Sequence, residues 1–210
     1  GFNRAMLFLL DVPRQTLAGR MAVGPDTIDE AIEIWSSVSS CDVNIFSQLK
    51  SSNGGVKKGR AFLEKVRAKS FSTGDDNIIT RSLKNRENIH VYDAWNDPRV
   101  GEDIREFLDV REFVITPLMS INNPIGVIIA DNKFNQAPIS NDNLELLSIF
   151  AFQATLLIES YNNLHLIKKE MQKVRDRQEA MVESEKLAAV GRIASHIAHK
   201  IRNPLVTMGG

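Results

Sequence analysis

The residues best suited to chemistry lie near the C-terminal end, in Glu183-Ser-Glu-Lys-Leu-Ala-Ala-Val-Gly-Arg-Ile-Ala-Ser-His-Ile-Ala-His-Lys-Ile-Arg-Asn-Pro-Leu205. A neutral imidazole nitrogen attacks a γ-phosphoryl group without a strong base, because an unperturbed pKa of about 6.5 leaves much of it unprotonated near neutrality. His199 is the candidate nucleophile. Asn203 follows one helical turn later and shares its face, so its amide can orient a water for dephosphorylation. Pro204 lacks a backbone donor and is expected to bend or loosen the helix there, ending it near Asn203. Lys200 and Arg202 complete the set of supporting residues.

Such a histidine is useful only if it points outward, where a second domain can reach it. Leu187, Val190, Ala194, Ile197 and Ile201 step by three and four residues, as the seam of a coiled coil does. With Ala194 at a and Ile197 at d, His199 falls at f and His196 at c, both away from the seam. An upstream set, Leu164, Ile167, Met171, Val174, Gln178 and Met181, keeps the same stepping. The six residues from Met181 to Leu187 break the phase, where four would continue it. Such a break over- or underwinds a coiled coil locally and is expected to act as a hinge, the plain alternative being a harmless irregularity.

The sequence from Ser140 onward holds no proline until Pro204, and its one glycine before the last two residues is Gly191. Ser140-Asn-Asp-Asn143 supplies a cap, and the rest reads as helix to about Asn203. Roughly 60 residues at about 1.5 Å each make a rod of roughly 90 Å. One small domain cannot cover such a helix, so a homodimer through it is expected.

Upstream, residues 1 to about 138 read as a mixed α/β domain. Ala5 to Leu10 is a short apolar run typical of a central strand, and Thr16 to Ala22 pairs with it as a hairpin. A helix over Ile28–Val38 places Ile28, Ala31, Ile32, Trp35 and Val38 on one stripe. Ser51 to Gly55 is a loop, and a second helix over Arg60–Phe71 turns Phe62, Leu63 and Val66 inward. Ile89 to Tyr92 is a short strand followed by an irregular stretch. Phe113 to Ser120 and Ile125 to Ala130 flank Asn122-Asn123-Pro124 as a hairpin, with Pro117 where no ladder donor is needed.

Composition excludes several classes. The 210 residues suit one domain plus an extension. Lys+Arg and Asp+Glu are 26 each, so no net charge steers the chain to nucleic acid. Cys41 is the single cysteine, which suits a reducing, cytoplasmic setting and a small packed thiol. No unbroken run of about 18 apolar residues is present, so no membrane segment is expected in these residues. No cluster has metal-ligand spacing. The basic Gly54-Gly55, Lys57-Lys58 loop lacks a phosphate-cradling pattern. His90 is read as a packing or hydrogen-bonding residue. Trp35 and Trp95 are read as core, with a cavity lining as the alternative.

Two resemblances follow from these motifs. Glu185 to Ala194 and His199 to Leu205 resemble the first helix of the dimerisation and phosphoacceptor domain of two-component sensor histidine kinases. That resemblance implies His199 as phosphoacceptor and Asn203 in dephosphorylation of the response regulator. His196 matches no motif position. Phe2 to Asp11, Val23-Gly24-Pro25, Ile89 to Pro98, Ile125 to Phe134 and the helix Leu144 to Glu159 resemble a GAF domain. The fold class implied is α+β: an antiparallel sheet of order 2-1-5-4-3, helices on one side and a ligand cavity on the other, continuing into a long C-terminal coiled-coil helix.

The domains expected are therefore a GAF sensory domain over 1–158 without the usual N-terminal helix, a coiled-coil signalling helix over 159–186, and the start of the phosphoacceptor domain over 187–210. The expected function is autophosphorylation on His199 and transfer to a response-regulator aspartate, under control of the GAF domain. The alternative is a non-catalytic binding or dimerisation module with a vestigial histidine. ATP and Mg2+ are expected on a further catalytic domain, without which these residues are inactive alone. The GAF ligand is unknown. Asn132-Lys133-Phe134 resembles part of a cyclic-nucleotide motif, but Asn135-Gln136 stand where Asp-Glu should complete it. Cys41 precedes Asp42 rather than the histidine of a bilin site.

One departure separates this chain from the kinase pattern. Lys200 stands where the family usually has Glu or Asp, thought to take the proton from the other ring nitrogen. A charged lysine accepts no proton and disfavours a neighbouring imidazolium by repulsion. Lys200→Glu is therefore expected to raise autophosphorylation in the intact enzyme, read as the rate of acid-labile label from labelled ATP. A lower rate would show that Lys200 has a role of its own.

Overall fold

β1 (Arg4–Asp11) lies in the interior of the sheet, as its unbroken apolar run requires. The structure is a computed structural model. It describes the backbone of residues 1–39, 60–121 and 123–207, and the side chains of those residues except 34–39 and 194–207. The remaining elements are β2 (Thr16–Val23), α1 (Ile28–Ser39), α2 (Arg60–Ala68), β3 (Ser70–Ser72), α3 (Ile78–Asn85), β4 (Ile89–Val91), α4 (Glu102–Leu108), β5 (Phe113–Met119), β6 (Pro124–Asp131) and α5 (Asn141–Thr207). The strands form one antiparallel sheet, ordered β3-β2-β1-β6-β5-β4. With the short edge strand β3 set aside, that is the expected 2-1-5-4-3 order.

The pleat divides the core. Met6, Phe8, Leu17, Phe113, Ile115, Val127 and Ile129 face one side, against Phe62 and Val66 of α2, Ile78 and Ile79 of α3, and Ile104 and Leu108 of α4. Val114 and Ala130 face the other, under Leu144 and Leu147 of α5. Helices thus cover both faces, not one. On the face covered by α2, α3 and α4, Phe8, Phe71 and Phe107 meet as three tilted or edge-on rings, with centroids 5.1 to 6.1 Å apart.

Several elements differ from the sequence expectation. Phe71 is not the end of a helix. α2 stops at Ala68, and Phe71 is the buried residue of β3, paired with Leu17. α3 and α4 had not been expected. α3 is started by Asn77, whose side chain accepts from the amides of Ile79 and Thr80 while Thr80 Oγ1 accepts from Asn77 N. α4 is held by Arg105, which donates to the carbonyls of Ala94 and Asp97 and so orders the stretch before it. Among the described side chains of α1 only Ala31 is buried; Ile28 and Ile32 are 58% and 57% exposed. Trp35 and Val38 lie on α1 but their side chains are outside the described residues, as are Cys41, the Ser51–Gly55 loop, Lys57, Lys58 and Asn122.

Other expectations hold. Ser140 caps α5, its Oγ accepting from Asn143 N. Pro117 lies beyond β4, whose pairing to β5 ends at Ile89 opposite Ile115, so no ladder partner is lost on that side. α5 continues through Pro204 to Thr207, past the expected end. A proline ring fixes a φ that a helix tolerates and removes one donor, which one turn can lose without ending. Within Asn141–Ile193 an 18-residue stretch reaches a mean hydropathy of 1.3, apolar enough by composition to cross a membrane. Leu147 and Ala151 of α5 are buried against the sheet domain, so part of that character is core packing. The chain divides into two units, Gly1–Ile158 and Glu159–Gly210.

β1 and β2 are paired with a bulge, Leu7 opposite Met21 but Phe8 opposite Gly19, which leaves Arg20 as the extra residue. At Gly19 the α2 backbone comes so close that a Cβ would fall on the Val66 carbonyl, and Gly19 N donates to Lys69 O at 3.0 Å. Gly19→Ala is expected to cost about 1–3 kcal/mol, read as a lower urea midpoint. Gly74→Ala, where an added Cβ meets nothing closer than 3.6 Å, should not move it. An unchanged midpoint for Gly19→Ala would show that α2 is not held against β2.

Candidate functional site

A guanidinium is buried at the start of β1. Arg4 is 2% exposed and Asp131, at the end of β6, is 0% exposed. Arg4 Nε donates to Asp131 Oδ1 at 3.0 Å and Oδ2 at 3.1 Å, and Nη2 donates to Oδ2 at 2.7 Å and to the Leu108 carbonyl at 2.9 Å. The guanidinium also lies 5.0 Å over the Phe62 ring. Strand pairing brings the partners together, because Arg4 is directly opposite Asp131 in the ladder.

The residues after Asp131 are held by the same end of the sheet. Lys133 N donates to Asp131 Oδ1. Asn132 Oδ1 accepts from Asn3 N, and its Nδ2 donates to Ala137 O. Asn3 Oδ1 accepts from the amides of Phe134 and Asn135. Lys133 Nζ reaches Asp109 Oδ2 at 2.7 Å, and this donation holds the Asp109 carboxyl below the usual carboxylate range. The Asn132-Lys133-Phe134 run therefore acts as a clasp that fixes the loop from β6 to α5.

Beside the clasp is a cavity of about 490 Å³. Its wall includes Tyr92, Trp95, Asp109, Arg111, Glu112 and Lys133. Trp95 is not a core residue. It is 52% exposed, and Tyr92 is 70% exposed. His90 is a residue of β4 whose side chain is 10% exposed; its Nε2 lies 2.7 Å from Glu112 Oε1, and its ring lies against Tyr92 with centroids 3.9 Å apart and a 34° tilt. Its Nδ1 is buried without a partner. Glu112 Oε1 also accepts from Ile139 N at 3.2 Å. Sequence reasoning missed Arg4, Asp109, Arg111, Glu112 and Asp131. The available signal was the Asp131-to-Phe134 run, whose polar residues end a buried strand.

The phosphoacceptor candidates lie in the other unit. α5 carries His196, His199, Lys200, Arg202, Asn203 and Pro204 on continuous helix, with positions 199 and 203 one turn apart. Their side chains are outside the described residues. Upstream on α5, Leu164, Ile167, Met171, Val174, Met181, Leu187 and Val190 are all exposed in the single chain.

Comparison with known proteins bears on the first unit. The family model of the GAF domain matches residues 1–158. Among solved structures, a GAF domain/HD domain protein from Geobacter sulfurreducens matches with a TM-score of 0.53 and 12% identity, over 76% of this chain and 81% of that one. Residues 122 to 287 of a methyl-accepting chemotaxis protein match with a TM-score of 0.52 and 20% identity, over 78% and 82%. The GAF domain of a phosphoenolpyruvate-protein phosphotransferase from Coxiella burnetii matches with a TM-score of 0.50 and 12% identity, over 77% and 74%. At these identities the likeness is one of fold. No curated protein matches the chain.

Removing one partner of the buried pair should be severe, because the other charge stays buried and unpaired. Asp131→Asn is expected to lose about 3–5 kcal/mol of stability in urea unfolding. Arg4→Met with Asp131→Leu should recover much of that loss. A loss under about 1 kcal/mol for Asp131→Asn would mean that water reaches Arg4.

Proposed function

The chain belongs to the GAF domain family, and on that premise we propose that it is the sensory and phosphoacceptor portion of a two-component sensor histidine kinase. The GAF fold by itself does not decide the output, since its structural neighbours include a chemotaxis protein and a phosphotransferase. The observation that carries the reading is His199-Lys-Ile-Arg-Asn-Pro-Leu205 on the same helix that is rooted in the sheet domain.

In this reading a separate domain delivers ATP with Mg2+. A neutral nitrogen of His199 attacks the γ-phosphorus; the new N–P bond replaces the bond to the β–γ bridging oxygen, and ADP leaves. The phosphoryl group then passes to an aspartate of a response regulator. Asn203 positions water for its eventual hydrolysis. Two copies pair through the exposed Leu164, Ile167, Met171 and Val174 stripe, whose spacing is that of a coiled-coil seam. Input to the GAF domain shifts the population between two packings of the paired helices, with the phase break at 181–187 deciding access to His199.

Lys200 favours a second reading, in which the GAF domain and helix serve as a binding and dimerisation module and His199 does no chemistry. Phosphotransfer from labelled ATP in the full-length protein separates the two, comparing wild type, His199→Ala and His196→Ala. Acid-labile label lost only in His199→Ala is the expected result. Label that persists in that variant, or is absent from wild type, would leave the binding module as the better account.

A further inference from the structure

We propose that the cavity beside the clasp is a binding site for a small zwitterion, an α-amino acid or short peptide with an aromatic side chain. This inference is independent of the phosphoacceptor chemistry and rests on four features of the cavity wall.

The first is its aromatic surface. Tyr92 and Trp95 stand at the wall with most of Tyr92 and half of Trp95 open to water. Two such rings, on a domain that buries Phe8, Phe62 and Phe113 completely or nearly so, leave open aromatic surface at this wall, with His90 lying against one face of Tyr92. The second is charge of both signs. Lys133 and Asp109 satisfy each other at 2.7 Å. Arg111 does not have an equivalent partner. Its guanidinium is 75% exposed and meets Asp93 only at 3.4 Å, so it is available to a carboxylate.

The third is Glu112. Its Oε1 takes both His90 Nε2 and Ile139 N, which leaves Oε2 as the acceptor for an incoming ammonium. Arg111 and Glu112 both line this cavity, which therefore offers one group of each sign to a small molecule. The fourth is backbone strain. Gln136, at a φ of 48°, lines this cavity; Asp109, at 50°, lines it too but is the left-handed cap that ends α4. Such conformations persist where the surroundings hold them and collect at binding sites. A purely anionic ligand would meet Glu112 and Asp109, and a purely cationic one Arg111 and Lys133. A zwitterion is opposed by neither.

The volume, about 490 Å³, is in the range of small-molecule sites and larger than one amino acid, so a dipeptide should fill it better. The test is a fluorescence titration of the 210-residue chain carrying Trp35→Phe, so that Trp95 is the single indole reporter. The probes are L-phenylalanine, the dipeptide Phe-Ala, 3-phenylpropanoate and 2-phenylethylamine. Saturable change is expected with the first two, tighter for the dipeptide, and about tenfold weaker binding for each probe lacking one charge.

Arg111→Gln, at an exposed position, should weaken the zwitterions about tenfold while leaving 2-phenylethylamine unchanged. Glu112→Gln should do the converse with 3-phenylpropanoate. Because Glu112 also holds His90, its far-ultraviolet circular dichroism is compared with wild type, and Arg111→Gln decides if that fold is disturbed. Equal binding of 3-phenylpropanoate and L-phenylalanine would overturn the zwitterion assignment. Lack of saturation by the dipeptide at millimolar concentration would overturn the site.

Discussion

A guanidinium shut off from water must be neutralised where it sits, and much of the sheet domain is arranged around that requirement. Arg4 and Asp131 are the first residue of β1 and the last of β6, brought opposite each other by the ladder. Their pairing also reaches α4 through the Leu108 carbonyl and the next loop through Lys133 N. Three elements and one loop therefore share a single buried charge pair. Breaking it strands a charge, whereas replacing both partners by apolar groups need not be costly, so its contribution is better described as fixing which ends meet than as adding stability.

How far the fold could be read in advance depended on what each element relies on. β1, β2, β5 and β6 announce themselves by apolar runs and turn residues, and they are where the reading placed them. α3 did not, because its cap is Asn77 with Thr80 rather than a serine with a glutamate, and because eight residues give periodicity little room. α4 was hidden in the same way: its first turn is acidic, but Arg105, not a side-chain cap, holds it. β3 is three residues long and owes its strand conformation to β2. Short elements defined by a tertiary partner leave little local trace.

The candidate sites show the same division. The motif around His199 can be proposed from sequence because its members lie within a turn or two of one helix. The cavity wall joins residues from the β4–α4, α4–β5 and β6–α5 connections, and no pattern in any one of them announces the others. The apolar stripe of α1 gives a third case. Ala31 is buried while Ile28 and Ile32 are exposed, so among its described side chains the expected stripe is covered at one position. The seam of α5 is likewise exposed among the described residues.

Glu112 Oε1 closes two contacts at once, to His90 on the edge strand and to the backbone amide of Ile139, two residues before α5 begins. An atom shared in this way makes the edge of the sheet and the root of the long helix one breathing unit. A fluctuation that carries the carboxylate away with either partner leaves the other exposed to solvent, so the Ile139 amide should trade its proton with water in step with the loosening of β4. The helix root thus inherits the slow opening of the strand at the sheet's rim, although they are not neighbours in sequence.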